Sequence, residues 1–450
     1  MEETSKPAIA LTNKERFPLI GDLSHLNNLK QDVFAPKFNF ESGDRLGEHH
    51  LKQVNEYAAK LKTAAFWNEK TQRRSLDDFI KWCVDTVPFY GGRNTVFESQ
   101  PTIRRKDLRD GPWHFVSNDC YLDDLLVGTT SGTSGPAMKV IVSPVSQACW
   151  IPQLESILEK HKIRLTRGQH VTSIALIGNQ SSMLTYASLS TYLEGAGILK
   201  LNLNAGDWND ADDRLRYLEK YNPEILTGDP FAFTALMELK PKLTPKALVS
   251  SAMKMTEGNR AKLEAYFRCP VLDVYSLTEC RMVAVSVGEG RYRALRPELY
   301  LEVFDKEKDV PLKPGEHGEL VITGGNNPFL PLIRYRTGDF CSLTIENGVP
   351  YLVDLEGREP VAYYRADGSF VNYIEISRAM KEHALAGFRM HQRKNKSVDF
   401  KGWATDTGLE GRVRDDLERI FGNGVGIVVS IEGPGMMEGK PVVYSSELLD

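Results

Sequence analysis

Apolar residues follow a helical spacing in the first part of the chain. They recur at three- and four-residue intervals between Leu51 and Trp67, as on one face of a helix. Ser75 is a candidate N-cap, because Asp78 follows it three residues later and the apolar run 79–84 comes next. This pattern predicts an irregular, mostly helical segment before residue 100.

From Val127 onward, short apolar runs rich in β-branched residues alternate with helical stretches. The runs lie at 171–178, 198–203, 225–228, 246–250 and 270–275, and the predicted helices include 210–221 and 257–267. Alternation at this spacing predicts βαβ units and a largely parallel sheet covered on both faces. Such sheets bind ligands beyond the carboxyl ends of their strands.

After Cys280 the predicted strands are separated by Gly, Pro and Asn turns, which predicts a small antiparallel sheet or barrel. These strands lie at 282–287, 299–305, 318–323, 340–345 and 350–354. Beyond residue 358 the pattern predicts a strand pair within 361–372, helices at 374–385 and 410–421, and a strand at 426–432; the basic residues 389–396 fit a solvated loop. We therefore expect an α/β fold with a large N-terminal domain, residues 1–357, and a small mobile α+β C-terminal domain, residues 358–450.

The composition indicates a soluble globular protein, with 450 residues, 41% of them apolar and 26% charged. The net charge of −4 favours no nucleic-acid partner, and no stretch approaches the ~20 apolar residues of a membrane span. The N-terminal segment has no basic-then-apolar signal pattern, and the six cysteines lie far apart without metal-binding spacing. We expect a cytoplasmic protein with reduced cysteines, no structural zinc, and no nucleic-acid or membrane partner.

A loop rich in hydroxyl groups and glycine lies at residues 129–139. Its backbone can turn successive N–H groups toward one anion, and its hydroxyls can donate to phosphate oxygens. The residues concerned are Thr129, Thr130, Ser131, Gly132, Thr133, Ser134 and Gly135. The flanking runs LLVG and VIVS indicate a hairpin rather than the strand–loop–helix of a Walker loop. From the loop alone, a flexible Ser/Gly hairpin is the slightly simpler interpretation.

Five segments together resemble the acyl-adenylate-forming superfamily, which includes acyl-CoA synthetases, peptide-synthetase adenylation domains and luciferases. In the order and spacing of that family they are TSGTSG (130–135), YSLTE (275–279), RYRTGD (334–339), LEGR (355–358) and EGKPVV (438–443). The resemblance spans residues 85–445, and RYRTGD contains the family's YRTGD element residue for residue. Ser251–Ala252 ahead of a helix and the closing sequence VVSIEGPGMMEGK look most similar to the phenylacetate-CoA ligase branch.

The resemblance implies a site for ATP. Loop 129–135 would hold the β- and γ-phosphates, and Thr278 would donate a hydrogen bond to the α-phosphate. Glu279 would bind Mg²⁺, a hard cation that prefers carboxylate oxygen. Tyr275 would lie against the adenine, and Asp339 would accept hydrogen bonds from both ribose hydroxyls.

The resemblance also implies residues at the edge of this site. Arg358 would reach the ribose and phosphates, and Lys440 would swing in on the smaller domain to stabilise charge during adenylation. Ser251, Ala252 and Ser276 would complete the nucleotide site. In contrast, we expect Arg334 and Arg336 to be structural partners of carboxylates.

The pocket for the acid would be lined by segments 177–186, 229–233 and 250–253. Its candidate contacts are Tyr186, Phe231, Phe233 and Ala252. Aromatic surface there would suit an aromatic or medium-sized apolar acid. The same aromatic residues are equally well explained as core residues.

Several positions depart from the family's pattern. Pro136–Ala137 stands where relatives often have Lys–Pro, Ser276 replaces a glycine, and Met253 replaces a carboxylate. The hinge, GREPVAYY (357–364), is the most divergent region and has Pro360 in place of an acidic residue. Because the hinge serves the second half-reaction, adenylation is better supported than transfer to CoA.

The leading hypothesis is therefore a ligase that uses ATP and Mg²⁺ to convert a small-molecule carboxylic acid into an acyl-adenylate and then a CoA thioester, with rotation of the smaller domain. A first alternative keeps adenylation but transfers the acyl group to an acyl carrier protein or to an amine. A second is a catalytically weak nucleotide-binding protein. The sequence leaves the acid, the acceptor, the oligomeric state and the pathway open.

Overall fold

The structure is a computed structural model and describes residues 11–66, 73–129, 138–357, 361–436 and 443–448. The helices within these ranges are α1 Asn13–Arg16, α2 Ser24–Gln31, α3 Glu48–Thr63, α4 Arg73–Thr86, α5 Arg105–Asp110, α6 Pro144–Ala148, α7 Trp150–Leu158, α8 Asp213–Tyr221, α9 Pro230–Glu238, α10 Glu257–Phe267, α11 Tyr373–Lys381 and α12 Glu410–Phe421. No helix among the described residues combines the length and the apolar character that crossing a membrane requires.

The strands in the same ranges are β1 Phe40–Glu41, β2 Ile103–Arg104, β3 Leu126–Thr129, β4 Lys139–Val142, β5 Thr172–Gly178, β6 Tyr186–Ser190, β7 Ala196–Asn202, β8 Ile225–Gly228, β9 Ala247–Ser251, β10 Val271–Leu277, β11 Arg281–Gly288, β12 Arg291–Ala294, β13 Leu299–Phe304, β14 His317–Gly324, β15 Leu332–Glu346, β16 Val349–Gly357, β17 Ala362–Tyr364, β18 Phe370–Asn372, β19 Gly387–Gln392, β20 Val398–Trp403, β21 Ile427–Glu432 and β22 Tyr444–Ser446.

One large sheet runs through most of the molecule. Its strands are hydrogen-bonded in the order β1-β6-β7-β5-β8-β9-β10-β11-β12-β16-β15-β14-β13, with β2 beside β15. Strands β7, β5, β8, β9 and β10 are parallel, as the strand–helix alternation predicts. From β10 to β13 the pairing is antiparallel. The predicted antiparallel strands thus continue the parallel sheet instead of forming a second sheet or barrel.

Helices cover both faces of the parallel strands. Ile174 belongs to a core that includes residues of α3 and α7, whereas its neighbour Ala175 belongs to a core with residues of α2, α8 and α9. Neighbouring residues of a strand point to opposite faces, so this division shows that each face is buried. A third core joins α4 to the antiparallel strands.

The residues 361–436 and 443–448, called the C-terminal unit below, have a sheet and a core of their own. Four strands pair in the order β21-β20-β19-β22, and α11 and α12 share one core with them. The hairpin β17–β18 confirms the predicted strand pair. The basic segment 389–396, expected in a solvated loop, is divided. Arg389 belongs to β19, where it is exposed on the outer face, whereas Arg393, Lys394 and Lys396 lie in the loop between β19 and β20 as expected.

Two predicted helix features have different outcomes. Helix α10 spans the predicted residues, because the Thr256 side chain caps the N–H of Asn259 and Arg268 ends the helix at φ +56°. Ser75 is not an N-cap, since it lies inside α4. The apolar spacing of Leu76, Ile80 and Cys83, all buried, belongs to the body of that helix.

Candidate active site

A cavity of about 530 Å³ lies between the large sheet and the C-terminal unit. It lies at the carboxyl ends of β9 and β10, the edge where sheets of this kind bind ligands. Its wall carries the cations Arg104, Arg105, Lys106, Lys254, Arg336 and Lys381 and the carboxylates Asp273, Glu279, Glu319, Asp339 and Glu356. The wall therefore offers both positive and negative groups to a charged ligand.

Tyr275 and Asp339 meet in the wall of this cavity. The Tyr275 hydroxyl donates to Asp339 Oδ2 at 2.6 Å. Burial, and then the Asp339 charge, raise the pKa of Tyr275, so the phenol stays protonated and remains a donor. Asp339 lies opposite Gly357, where a Cβ would come within 3.4 Å of Asp339 Oδ1.

The bulge in β15 that presents Asp339 is fixed by hydrogen bonds to β14. Gly338 has φ +80°, a left-handed conformation that favours glycine. Its N–H donates to Glu319 Oε1 at 3.1 Å, and Thr337 Oγ1 donates to the Leu320 carbonyl at 2.9 Å. The carboxylate is therefore held on a rigid part of the sheet.

Thr278 and Glu279 lie on the tight hairpin between β10 and β11, next to the Tyr275–Asp339 pair. Thr278 is exposed, whereas Glu279 is buried and accepts a hydrogen bond from the Tyr335 hydroxyl through Oε1. Within the described part of the chain, Glu279 Oε2 has no hydrogen-bond partner. This oxygen can serve as a hard ligand for a cation in the cavity.

Arg334 and Arg336 are structural, as expected. Arg334 pairs with Glu302 Oε1 at 3.1 Å, and Arg336 pairs with Glu319 Oε2 at 2.6 Å. Both guanidiniums are almost fully buried. These ion pairs join β15 to β13 and β14.

Asp273 is a buried carboxyl group in the cavity wall that the motifs do not indicate. It accepts a hydrogen bond from the Tyr292 hydroxyl at 2.6 Å through Oδ2. Burial raises its pKa to about 6, although the Tyr292 hydrogen bond and the charge of Arg260 oppose that shift. The sequence does contain a signal: Asp273 interrupts the apolar run PVLDVY two residues before Tyr275, and therefore shares its face of the strand.

The cations of the wall are also absent from the predicted site. Arg104, Arg105 and Lys106 come from the junction of β2 and α5. Lys254 pairs with Glu356 at 2.5 Å, which links the segment after β9 to the end of β16. A run of three cations in the sequence could have indicated the first group.

Of the three residues predicted to complete the nucleotide site, two lie in the cavity wall. Ala252 and Ser276 line the cavity. Ala252 has φ +72°, a strained conformation for a residue with a Cβ. Ser251, which pairs with Val274 at the end of β9, is not among the described wall residues.

The other predicted contacts of the acid are not among the described residues of the cavity wall. Phe233 is fully buried in the core of the large sheet. Phe231 is also buried and packs edge-on against Trp403 of the C-terminal unit, with ring centroids 5.3 Å apart. Tyr186 is half-buried at the start of β6. The two phenylalanines thus occupy the core positions that the alternative interpretation assigns to them.

The predicted phosphate loop, Arg358 and Lys440 cannot be placed in this geometry. The hairpin β3–β4 that frames the loop is formed, as predicted. Thr129 is the last residue of β3. The remaining candidates lie outside the described residues: Thr130, Ser131, Gly132, Thr133, Ser134, Gly135, Arg358 and Lys440.

Comparison with known proteins identifies relatives for part of the chain. Residues 127–327 match the family model of AMP-binding enzymes. Protein CapK of Staphylococcus aureus is 22% identical over 328 residues, 68% of this chain and 70% of that protein. Phenylacetate-coenzyme A ligase of Escherichia coli (strain K12) is 26% identical over 145 residues, 29% of this chain. The alignment spans 33%, about a third, of that ligase's length.

Solved structures share the fold at low sequence identity. The crystal structure of 2-hydroxyisobutyryl-CoA ligase in the postadenylation state, in complex with R3-HIB-AMP, aligns with a TM-score of 0.56 and 14% identity. The alignment covers 89% of this chain and 89% of that one. The shared fold confirms the expected mixed α/β architecture with a separate smaller sheet, and the family match confirms the resemblance to the acyl-adenylate-forming superfamily.

Proposed function

We propose that this chain, an adenylate-forming ligase, activates a carboxylic acid with ATP and then transfers the acyl group to CoA. In the first step a carboxylate oxygen attacks the α-phosphorus, the acyl-adenylate forms and pyrophosphate leaves. In the second step the CoA sulfur attacks the acyl carbon and AMP leaves. One observation carries the proposal: the neighbouring residues Tyr275, Thr278 and Glu279 meet Asp339, which is 64 residues from Tyr275 in the sequence, in one cavity.

The first step joins two anions, so it depends on charge neutralisation and positioning more than on acid–base chemistry. Asp339 is suited to accept hydrogen bonds from two neighbouring ribose hydroxyls, because one carboxylate can serve two donors. Its hydrogen bond from Tyr275 fixes its orientation. Tyr275 itself offers a ring face to the adenine.

Thr278 and Glu279 would act on the phosphates. The exposed Thr278 hydroxyl can donate to the α-phosphate from the tip of its hairpin. Glu279 Oε2 fits Mg²⁺, which is usually held by one or two carboxylates together with substrate phosphates. The metal would neutralise phosphate charge. The loop 129–135, Arg358 and Lys440 complete this proposal as phosphate, ribose and charge-stabilising contacts.

CoA is the proposed acceptor, because several relatives bear the names of CoA ligases. The C-terminal unit, which we propose is a domain that begins at residue 358, contributes Ser377, Phe388 and Tyr444 to the cavity wall. A second substrate could therefore enter where the two parts of the molecule meet. A carrier-protein thiol or an amine remains the alternative acceptor, and we propose a cytoplasmic enzyme that acts on an aromatic or medium-sized apolar acid.

The proposal is tested by measuring pyrophosphate release from ATP and Mg²⁺ with a panel of aryl, aliphatic and amino acids, with and without CoA. We expect release that depends on the acid, and sustained AMP formation only when CoA is present. Pyrophosphate release without sustained AMP formation in the presence of CoA would mean that the acceptor is a molecule other than CoA. Binding of ATP without release with any acid would contradict the activity.

A further inference from the structure

Arg281 follows the hairpin tip of the proposed phosphate site and has an unusual backbone. Leu277 pairs with Arg281 across the hairpin, so residues 278–280 form the turn. Arg281 has φ +65°, a left-handed conformation that is unfavourable for a side chain of this size. Such conformations are concentrated at functional sites, where the strain serves a purpose.

The guanidinium of Arg281 has little compensation for its charge. It donates one hydrogen bond, to Gln147 Oε1 on α6. Burial, and then the like charge of Arg296, lower the pKa of Arg281. Across the described ranges, no carboxylate forms an ion pair with it. Its neighbour Arg296, in contrast, pairs with Glu298 at 2.7 Å.

Tyr186, which interacts electrostatically with Arg281, cannot supply the missing charge. Burial raises the pKa of Tyr186, so its phenol is neutral near pH 7. Arginine stays protonated in proteins, and a largely desolvated cation without a counter-charge is costly. A guanidinium offers a planar set of donors that matches a carboxylate. Arg281, Tyr186 and Gln147 thus form a site that is complete only when an anion binds.

The position of this site indicates which part of a substrate it would meet. Thr278 and Glu279 line the 530 Å³ cavity, whereas Arg281 is not among the described residues of its wall. Arg281 instead lines a second cavity of about 10 Å³, together with Glu279 and Arg296, and its side chain reaches Gln147 on α6. Glu279 lines both cavities, so the hairpin tip separates them. An acid whose reacting carboxylate lies at Thr278 would approach Arg281 with its far end.

We propose that Arg281 recognises a second acidic group, so that the substrate of this enzyme is a carboxylic acid with an anionic distal end. This inference rests on the proposed adenylation function, since that function places the reacting carboxylate at Thr278. It narrows the substrate class from an aromatic or medium-sized acid to one with two acidic groups. Arg281 is then a specificity-determining residue, with Tyr186 and Gln147 beside it.

The test compares equilibrium binding of diacids with that of their half-amides, which differ in charge but hardly in shape. The probes are 4-carboxyphenylacetic acid and the straight dicarboxylic acids from succinic to suberic acid, in the presence of the α,β-methylene analogue of ATP. At least one diacid should bind the unaltered protein about 10- to 100-fold more tightly than its half-amide. Arg281→Gln should remove that preference, and Arg281→Lys should restore part of it.

Two controls separate recognition from a structural role. Arg412→Gln, at an exposed arginine of α12, should leave binding unchanged. Arg281→Gln without ligand should melt at the same temperature as the unaltered protein or higher, because it removes an uncompensated charge. A lower melting temperature, or a diacid preference that survives Arg281→Gln, would overturn the proposal, as would the same affinity for every diacid and its half-amide.

Pyrophosphate release with the same probes separates this inference from the proposed function. Release that depends on a diacid and on Arg281 supports both. Equal release from monoacids by the unaltered protein and by Arg281→Gln overturns the inference and leaves the function standing. Arg281-dependent binding of a diacid without any release supports anion recognition and overturns the adenylation function.

Discussion

At the scale of single residues, the site depends on protonation states that burial controls. The Tyr275 phenol is kept protonated and orients Asp339 through one hydrogen bond. Asp273, two residues before Tyr275, is buried with a pKa of about 6 beside the Tyr292 hydroxyl. Asp339 is thus positioned to accept hydrogen bonds from a ligand, and Asp273 changes charge near neutral pH.

Asp339→Ala should weaken binding of a non-hydrolysable ATP analogue by about 10- to 100-fold, since it removes charge-assisted hydrogen bonds to the ribose. Tyr275→Phe keeps the ring and removes only the hydroxyl, so its affinity for the analogue should fall by about 10-fold or less. Isothermal titration calorimetry measures both affinities. No loss of affinity in Asp339→Ala would show that the nucleotide does not use Asp339.

Asp273 should make stability depend on pH in a defined direction. Its folded-state pKa of about 6 lies above its ordinary value of 3.8, so its contribution to stability is complete below pH 4 and is lost as pH rises through 6. Asp273→Asn does not titrate. The stability of this variant relative to the unaltered protein should therefore rise by roughly 3 kcal/mol between pH 4 and 7.

Urea denaturation at several pH values measures this difference. Asp415→Asn, at an exposed position on α12, is the matched control and should show a much smaller change. A difference between Asp273→Asn and the unaltered protein that stays constant with pH would contradict the account of Asp273.

At the scale of secondary structure, strand β15 combines a structural and a functional role. Its buried residues Arg334 and Arg336 hold it to neighbouring strands through ion pairs. A bulge at Gly338, with φ +80°, interrupts the regular pairing with β14, and Asp339 lines the cavity. The fold thus fixes the carboxylate by placing it on a long strand beside two buried ion pairs.

Gly338→Ala should lower the free energy of unfolding by about 1–2 kcal/mol, because φ +80° is unfavourable once a Cβ is present. A Cβ at this position would meet nothing within 4 Å, so the cost is conformational and not a clash. Gly21→Ala is the matched control, since it also has open space but no positive φ. Similar stabilities for the two variants in urea denaturation would argue against a backbone conformation at Gly338 that requires glycine.

The sequence predicts local elements well and long-range contacts poorly. Helices α10 and α12 have the predicted bounds, because their caps and apolar spacing are local signals. The joining of the antiparallel strands to the parallel sheet depends on the pairing of β10 with β11, which apolar spacing does not encode. The motifs identified Asp339 and Tyr275 but not Asp273, which lies outside any motif and is marked only by a charge within an apolar run.

Metal-ligand spacing shows the same limitation. The sequence has no cluster with the spacing of a metal site, yet the fold brings Asp124 to His49 and His50, with potential ligand atoms within 4.8 Å of one another. Asp124 is 74 residues from His50, and their hydrogen bond ties the start of α3 to the segment before β3. Such a group is visible only after folding.

At the scale of the whole molecule, the C-terminal unit is docked on the large sheet through close contacts. Thr256 Oγ1 donates to the Leu385 carbonyl at 2.8 Å, and Arg378 pairs with Asp354 at 2.7 Å. Gly258, on α10, approaches the backbone of residues 382–384 so closely that a Cβ would lie 2.5 Å from the Glu382 carbonyl oxygen. This arrangement closes one side of the cavity.

Gly258→Ala should prevent this docking, because the added Cβ would clash with backbone atoms of residues 382–384. Backbone atoms cannot move aside as the end of a flexible side chain can. The radius of gyration in solution scattering should increase, while helix α10 itself should gain stability, since alanine favours a helix over glycine. Gly411→Ala on α12, where a Cβ meets nothing within 4 Å, is the control. Unchanged scattering from Gly258→Ala would mean that the C-terminal unit is not docked this way in solution.

The central claim, that the chain forms an acyl-adenylate, is tested most directly by acid-dependent exchange of labelled pyrophosphate into ATP without any acceptor. Exchange reports the reversible first step alone, so it does not depend on the identity of the acceptor. We expect label to enter ATP only with Mg²⁺ and a suitable acid, diacids included, and Asp339→Ala to reduce the rate at limiting ATP. Exchange that is absent with every acid while ATP still binds, or that is unaffected by Asp339→Ala, would contradict the account.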